Sequence, residues 1–355
     1  MTDLQSLGGI VNMGATCYAN SVIQCFRHCT KIPQLFSEER YITLFKKKGT
    51  ALRARQQKFT SEFADIVRLL QACKKGQSVR PAGFWKEFMN TVQDSGFEHL
   101  IVKMPHDSYE FYLCILDIVH ESLSQEVNMK ISRPPPTSEQ EIRIYKALDV
   151  WKQEFHNKYS PLVDLYYGLM HFVIECENCK NKSHRWEPFT ALKGVVPTSG
   201  GNVPLLDMLQ EEFKPETIPG YDCEHCRPGR QNAVRRCYIW RLPVYTVVVL
   251  KRFTPDGRKI NTPMEGITGD VSFNSLFSDE SPERVSQMTY HLNSIVDHHG
   301  GAGGGHYTAQ CKSLANGAWS LYDDESCHSI PGPMYGSSTY MLWFERNGGT
   351  VKCLS

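Results

Sequence analysis

No long apolar run occurs in these 355 residues; the longest, near VYTVVVL at 244–250, is far too short to span a bilayer. The opening MTDLQSLGGI carries an acid near its front and has no apolar core of the kind a secretory signal needs. An excess of one charge is also missing. With 39 Lys and Arg against 38 Asp and Glu, the net charge of +1 gives no bulk attraction to nucleic acid or to an anionic membrane. There is no internal repeat and no long low-complexity tract, so a repeated array is not expected. The 13 cysteines are odd in number and scattered, unlike the dense, even framework of a small secreted fold. These absences describe a soluble, non-secreted protein of a reducing compartment, cytoplasmic or nuclear, with no nucleic-acid or membrane partner.

What is present is a core-forming composition, 41% apolar, in a chain long enough for one large domain or two ordinary ones. After Cys17, the residues Ala19, Val22, Ile23 and Phe26 recur at helical spacing, which predicts an amphipathic helix with Cys17 at its N-terminus. Charged, helix-compatible segments run from Lys31 to Lys103. HDSYEFYLCILDIVHESL (106–123) then presents Phe111, Ile115, Ile118 and Val119 on one face, with Asp107 and Glu110 placed as a capping box. SRPPPTSEQ (132–140) reads as an exposed connection. Beyond about residue 168 the character changes to short β-type runs separated by Gly, Pro and Asn, among them HFVIEC, RRCYIW, VYTVVVL, YHLNSIV, HYTAQCK and YMLWFER. The expected class is α+β, a helical lobe followed by a β-rich lobe.

Two Cys-x-x-Cys knuckles, Cys176/Cys179 and Cys223/Cys226, lie 43 residues apart. Four thiolates can close a tetrahedral structural zinc site, and the long gap predicts knuckles that end two hairpins of an extended β lobe. A redox role would put one knuckle at a helix start, and neither precedes a helical pattern. His225 is left out of the ligand set because four sulfurs already satisfy the ion.

A catalytic thiol needs help to lose its proton, and a helix N-terminus supplies partial positive charge and free N–H groups. It also needs an imidazole to carry the proton and a group to orient that imidazole. Among 13 histidines, His306 stands out: it follows a glycine run in HHGGAGGGHYTAQCK and opens a predicted strand. Seventeen residues on, Asp323 and Asp324 end the next strand in WSLYDDES, and an antiparallel return would bring them to the level of His306. Taken singly, a cysteine is usually a small buried hydrophobe and an Asp pair at a strand end is usually turn chemistry. Their company carries the argument.

GIVNMGATCYANSVIQ (9–24) resembles the cysteine box of the ubiquitin-specific proteases, and GGGHYTAQCK with WSLYDDES resembles their histidine box. Between these, HDSYEF is similar to the family's Gln-Asp-x-x-Glu-Phe element, with His106 and Ser108 where Gln and Ala are usual. CENCKNKSHRWEPFTALKG (176–194) resembles its first zinc knuckle, and VVLKRF (248–253) its Leu-Lys-Arg-Phe strand. The order is kept from about Gly8 to Phe344. The resemblance implies a papain-like cysteine peptidase in one catalytic domain, with a helical thumb (1–165), zinc-bearing β fingers (166–245) and a β-rich palm (246–355), and no room for an accessory domain. It further implies Cys17 as nucleophile, His306 as general base and acid, Asp323 as its orienter and Asp324 as a second polar partner. Asn12 would be the oxyanion donor together with the Cys17 N–H, an effect typically worth ~3 kcal/mol. Asp107 would bind the basic tail of ubiquitin while also capping its helix, with Glu110 and Tyr307 as further substrate-binding positions. Gly304 and Gly305 would belong to a loop closing over a substrate tail that ends in Gly-Gly. The implied partners of a monomeric enzyme are ubiquitin and ubiquitylated proteins, and an activating protein partner is left open.

Two other readings stay open. One is a silent ubiquitin-binding scaffold, which the presence of Cys17, His306, Asp323 and Asn12 together disfavours. The other is the same chemistry on another ubiquitin-like modifier.

Overall fold

The computed structural model describes residues 7–46, 49–101, 104–301 and 304–348. The apolar spacing after Cys17 forms α1 (Cys17–Arg27), but this helix is buried on every side instead of along one stripe. It lies between helices α3 (Ala51–Ala72) and α5 (Ser108–Leu123) and the strands of a large sheet. Most of its polar side chains are satisfied internally, Asn20 Oδ1 being buried without a partner. Arg27 donates from Nε to Gln24 Oε1 at 2.7 Å, from Nη1 to the Leu70 carbonyl at 2.8 Å and from Nη2 to the Tyr322 hydroxyl at 3.0 Å. Gln24 Nε2 in turn donates to the Gly8 carbonyl at 3.0 Å. A buried polar group left without such partners would be costly, so the amphipathic pattern understates how far this helix is enclosed.

Two short helices, α2 (Lys31–Phe36) and α4 (Ala82–Val92), complete the packing around α3. Side-chain caps set the starts of several helices: Thr50 for α3, Asp107 for α5, Ser138 for α6 (Glu139–Phe155) and Ser160 for α7 (Pro161–Tyr166). The proline-rich connection is exposed and irregular as expected, except that its last two residues already belong to α6. Phe111, Ile115, Ile118 and Val119 of α5 are all buried. A parallel pair, β1 (Gly9–Ile10) with β2 (Ser78–Val79), fastens the segment before Cys17. Gly9 is needed there: a Cβ would stand 2.1 Å from the carbonyl oxygen of Glu325, backbone that cannot swing away.

From Gly168 onward strands dominate, with one α-helix among the described residues, α8 (Leu205–Glu212). β3 (Gly168–Cys176), β4 (Lys182–Phe189), β6 (Glu216–Tyr221) and β7 (Gln231–Arg241) form an antiparallel sheet in the order β4-β3-β7-β6. The second sheet is built from β5 (Leu192–Val195), β8 (Tyr245–Lys251), β9 (Val271–Ser272), β10 (Thr289–Gly301), β11 (Gly304–Lys312), β12 (Trp319–Asp323), β13 (Ser326–Ile330) and β14 (Thr339–Arg346). It runs β13-β12-β11-β10-β14-β8-β5, with β9 paired to β10. One face of this sheet packs on α1, joining the helices in a shared core; the other shares a core with α8. A third apolar cluster, with Trp151, Trp186 and Trp240, ties α6 to the base of the four-stranded sheet. Among the described residues no helix is long and apolar enough to cross a membrane.

Candidate active site

Cys17 is the first residue of α1 and is 4% exposed. Burial pushes its thiol above the ordinary value, and the carboxylate of Asp324 pushes the same way. The backbone N–H of Tyr307 and those of Tyr18 and Cys17 itself oppose this without overcoming it. This corrects the expectation drawn from the helix terminus alone. The free N–H groups are present, but desolvation outweighs them and the thiol rests protonated.

His306 lies near the start of β11, opposite His299 of β10. The antiparallel pairing of β11 with β12 brings the end of β12 back beside it, and His306 Nε2 stands 2.5 Å from Asp323 Oδ1. That leaves Nδ1 as the ring nitrogen not engaged by the acid. Among the described residues no hydrogen bond joins Cys17 Sγ to His306. The sulfur instead faces the backbone N–H of Tyr307, the next residue along. The parts therefore adjoin: a thiol, a strand bearing an imidazole, and a carboxylate bonded to that imidazole.

Asp324 keeps a carboxylate oxygen within 4.8 Å of a His306 ring nitrogen and of Asp323, but its hydrogen bonds go elsewhere. It has φ +49°, in the left-handed region that Asp tolerates in turns, and it belongs to the two-residue connection between β12 and β13. Its Oδ2 accepts from Asn12 Nδ2 at 2.8 Å, its Oδ1 from Asn20 Nδ2 at 2.7 Å, and its carbonyl from the Ile10 N–H at 2.8 Å. Asn12 is thus more constrained than expected: its Oδ1 accepts from the N–H groups of Gly14 and Thr16 at 2.9 and 3.1 Å and from the Thr16 hydroxyl at 3.2 Å. One hydrogen of its amide goes to Asp324, and one remains.

Asp107 caps α5 by accepting from the N–H groups of Tyr109 and Glu110 at 2.8 and 3.1 Å through Oδ1. Its second oxygen, which capping alone leaves free, accepts from the Tyr340 hydroxyl at 2.6 Å. Burial holds this carboxyl above its ordinary range. The Glu110 side chain does not return to the cap; its carboxylate is exposed and paired with His99 Nε2 at 3.2 Å. The Tyr307 ring is buried against His298 and Tyr340, with centroids 4.6 and 6.2 Å away, so only its backbone faces the thiol. Gly304 and Gly305 belong to strand β11, paired with Gly301 and Gly300, and not to a loop. Ala302 and Gly303 of the glycine run lie outside the described residues.

Asn20, His298 and Tyr340 were not singled out from the sequence. Asn20 sits in the helical pattern and Tyr340 in an alternating strand, where nothing local marks them. His298 is one of the paired histidines that open the glycine run, and only the pairing of β10 with β11 brings it against Tyr307.

The two knuckles are the turns of the β3–β4 and β6–β7 hairpins, and the pairing of β3 with β7 carries both to one end of the sheet. Cys176 Sγ lies 3.8 Å from Cys226 Sγ and Cys179 Sγ 3.6 Å from Cys223 Sγ, with all four sulfurs within 4.8 Å of one another. Four converging sulfurs at these separations can hold one metal ion.

Residues 8–344 match the family model described as ubiquitin carboxyl-terminal hydrolase. Ubiquitin carboxyl-terminal hydrolase 2 of Bos taurus is 26% identical over 352 residues, spanning 96% of this chain and 55% of that protein. Ubiquitin carboxyl-terminal hydrolase 21 of Homo sapiens is 25% identical over 374 residues, spanning 98% and 62%. The chain therefore covers little more than half the length of these relatives. The solved SAGA Ubp8/Sgf11/Sus1/Sgf73 DUB module bound to ubiquitin aldehyde contains a chain that superposes with a TM-score of 0.71 at 21% identity, covering 99% of this chain and 71% of its own. That likeness gives the fold, and the family match over nearly the whole length gives the membership: this chain belongs to the ubiquitin carboxyl-terminal hydrolase family.

Proposed function

We propose that the chain is a deubiquitinating thiol hydrolase, cleaving the peptide or isopeptide bond after the C-terminal glycine of ubiquitin. The observation that carries this is the His306–Asp323 pair at 2.5 Å on strands packed against the helix that Cys17 begins. Asp323 fixes Nε2 as the protonated nitrogen and leaves Nδ1 to take the thiol proton. The thiol starts neutral, so proton transfer to His306 and attack on the carbonyl are coupled events. The imidazolium, steadied by Asp323, then protonates the departing amine, and water attacks the thioester with His306 again as base. The remaining Asn12 amide hydrogen and the Cys17 N–H are the donors for the oxyanion, a contribution typically of ~3 kcal/mol.

The helices before Gly168 act as thumb (1–165), the four-stranded sheet as fingers (166–245) and the large sheet as palm (246–355). The ion in the Cys176/Cys179/Cys223/Cys226 cluster is zinc in a structural role. Tetrahedral zinc with bonds of about 2.3 Å sets sulfurs about 3.8 Å apart, and the sulfur pairs lie at 3.6 and 3.8 Å. When bound, the ion cross-links the two hairpin tips. Asp107 and Glu110 are the acids offered to the basic tail of ubiquitin. Relatives named as hydrolases of ubiquitin and a structural neighbour held with ubiquitin aldehyde support the substrate class. That neighbour's companion chains make activation by a protein partner a natural extension for a protomer that otherwise acts as a monomer.

The test is covalent labelling by ubiquitin carrying an electrophile in place of its last carboxylate, read by intact mass. An added mass of one ubiquitin is expected on the wild type and none on Cys17→Ala, which should still bind ubiquitin. Turnover by Cys17→Ala would defeat the assignment.

A further inference from the structure

The pairing of β3 with β4 sets His171 opposite Trp186 and Val173 opposite His184, so the two histidines are diagonal neighbours on one face of the sheet. His171 Nε2 lies 2.9 Å from His184 Nδ1. The His171 ring is 1% exposed and lies flat on Trp186, centroids 4.9 Å apart, with Trp240 edge-on. Its other nitrogen, Nδ1, is 3.0 Å from the Ser278 hydroxyl. The Ser278 backbone is held by its N–H, which donates to the Ile239 carbonyl of β7, and its hydroxyl oxygen accepts from the Glu280 N–H at 3.4 Å. Two residues further on, Glu280 brings a carboxylate oxygen to within 4.8 Å of a ring nitrogen of each histidine.

Proton accounting makes this cluster unusual. If His171 donates from Nδ1 to Ser278, its Nε2 presents a lone pair, and the single proton between the rings belongs to His184. At 2.9 Å the two facing nitrogens admit one proton between them, so in this arrangement the His171 ring is neutral. Neutral imidazole with its far nitrogen anchored is the state a metal ligand requires. Glu280 Oε2 is shielded from solvent and receives no directed hydrogen bond, although Arg143 Nε stands 2.6 Å away. Arg143 has a second acid within reach, Glu139 at 3.2 Å, and can keep an ion pair if Glu280 turns inward.

We propose that His171, His184 and Glu280 form a binding site for a divalent first-row transition ion, distinct from the four-cysteine cluster, that pins the β3–β4 hairpin to the segment at 278–280. Two imidazoles and a carboxylate with one open position is a donor set zinc accepts. Two nitrogens on one tetrahedral ion with bonds of about 2.1 Å stand about 3.4 Å apart. The rings therefore open by roughly half an ångström, and the half-buried His184 has the freedom to do so. On binding, the His184 proton moves to its Nε2, so no net proton is released and Glu280 supplies the negative charge.

The test uses the full chain with its cysteine cluster loaded with zinc. Cobalt(II) is titrated while tryptophan fluorescence is followed, because an open-shell ion on His171 quenches the stacked Trp186. Wild type should show saturable quenching, reversed by zinc, and one more bound ion per chain by plasma mass spectrometry than His184→Ala or Glu280→Gln. Visible cobalt bands without intense near-ultraviolet sulfur charge transfer distinguish this site from exchange into the cysteine cluster. Equal binding by wild type and both variants, or absence of quenching in the wild type, reduces the pair to a structural imidazole–imidazole bond and overturns the proposal. Should His184→Ala fail to fold, Glu280→Gln, a near-isosteric change, decides alone.

Discussion

Asn12 Nδ2 donates to Asp324 Oδ2 at 2.8 Å, and through this bond the segment leading into the thiol's helix is tied to the same turn that carries Asp323. The other carboxylate oxygen holds Asn20 of α1, so one side chain sets the helix, the Asn12 segment and the acid of the imidazole pair relative to one another. A hydrogen bond to a charged group contributes about 1.5–3 kcal/mol. Asp324→Ala should therefore lower kcat/KM on a ubiquitin amide by about ten- to a hundredfold, chiefly through kcat. Asp324→Asn separates geometry from charge. With the negative charge gone from beside Cys17, the thiol pKa falls, and alkylation of Cys17 by iodoacetamide should reach its half-maximal rate at lower pH than in the wild type. An alkylation profile that stays put, with activity intact, would show that Asp324 does neither job.

Gly304 and Gly305 are neighbours with opposite tolerances. A Cβ at 305 would lie 2.3 Å from His298 Nε2 and 2.5 Å from the His299 carbonyl, whereas a Cβ at 304 meets nothing within 4 Å. Gly305→Ala should destabilise the fold by about 1–3 kcal/mol, the usual range for overpacking, as read by denaturant unfolding. Gly304→Ala should unfold like the wild type. If the substrate tail passes over this hairpin, Gly304→Ala will nevertheless raise KM, and equal kinetics for wild type and Gly304→Ala would remove that residue from the channel.

Much of the arrangement was legible because it is local or follows from simple strand arithmetic. The helix begun by Cys17, the return of Asp323 to His306 across two antiparallel strands, and the knuckles as hairpin turns all depend on spacing along the chain. What escaped depends on partners far apart in sequence. Asn20 reads as a polar position on a helix until Asp324, 304 residues away, is found against it. Tyr340 reads as a strand residue until it takes the oxygen of Asp107 that a capping argument leaves free. The thiol shows the same limit: a helix terminus can be read from the sequence, but the desolvation that overrides it comes from the whole core.

Asp107 serves as a cap and stands as a candidate acid for the ubiquitin tail, and two substitutions separate these roles. Asp107→Ala loses the cap, which alone should cost about 1 kcal/mol of stability. Asp107→Ser keeps a capping oxygen for the N–H groups of Tyr109 and Glu110 but removes the charge. It loses the acceptor of the Tyr340 hydroxyl and so should still cost about 1–3 kcal/mol of stability, while raising KM about tenfold, equivalent to ~1.4 kcal/mol of lost binding. If Asp107→Ser keeps the wild-type KM, the residue is a structural anchor only and the tail is gripped elsewhere.

The cysteine cluster should matter for the fingers and not for the thiol. Its sulfurs lie at the tips of hairpins in the four-stranded sheet, whereas α1 packs on the eight-stranded one. Cys223 is buried and supplies one of the four converging sulfurs, so if the cluster holds an ion, Cys223→Ser should abolish its tight retention. With the ion gone, the β6–β7 turn loses its link to the β3–β4 turn, and amide exchange should accelerate there first, while the β3–β7 pairing nearer the base stays protected. The rate at which iodoacetamide alkylates Cys17 should not change. Loss of Cys17 reactivity in step with loss of metal would instead mean that the two sheets unfold as one unit, and that the ion supports the whole domain.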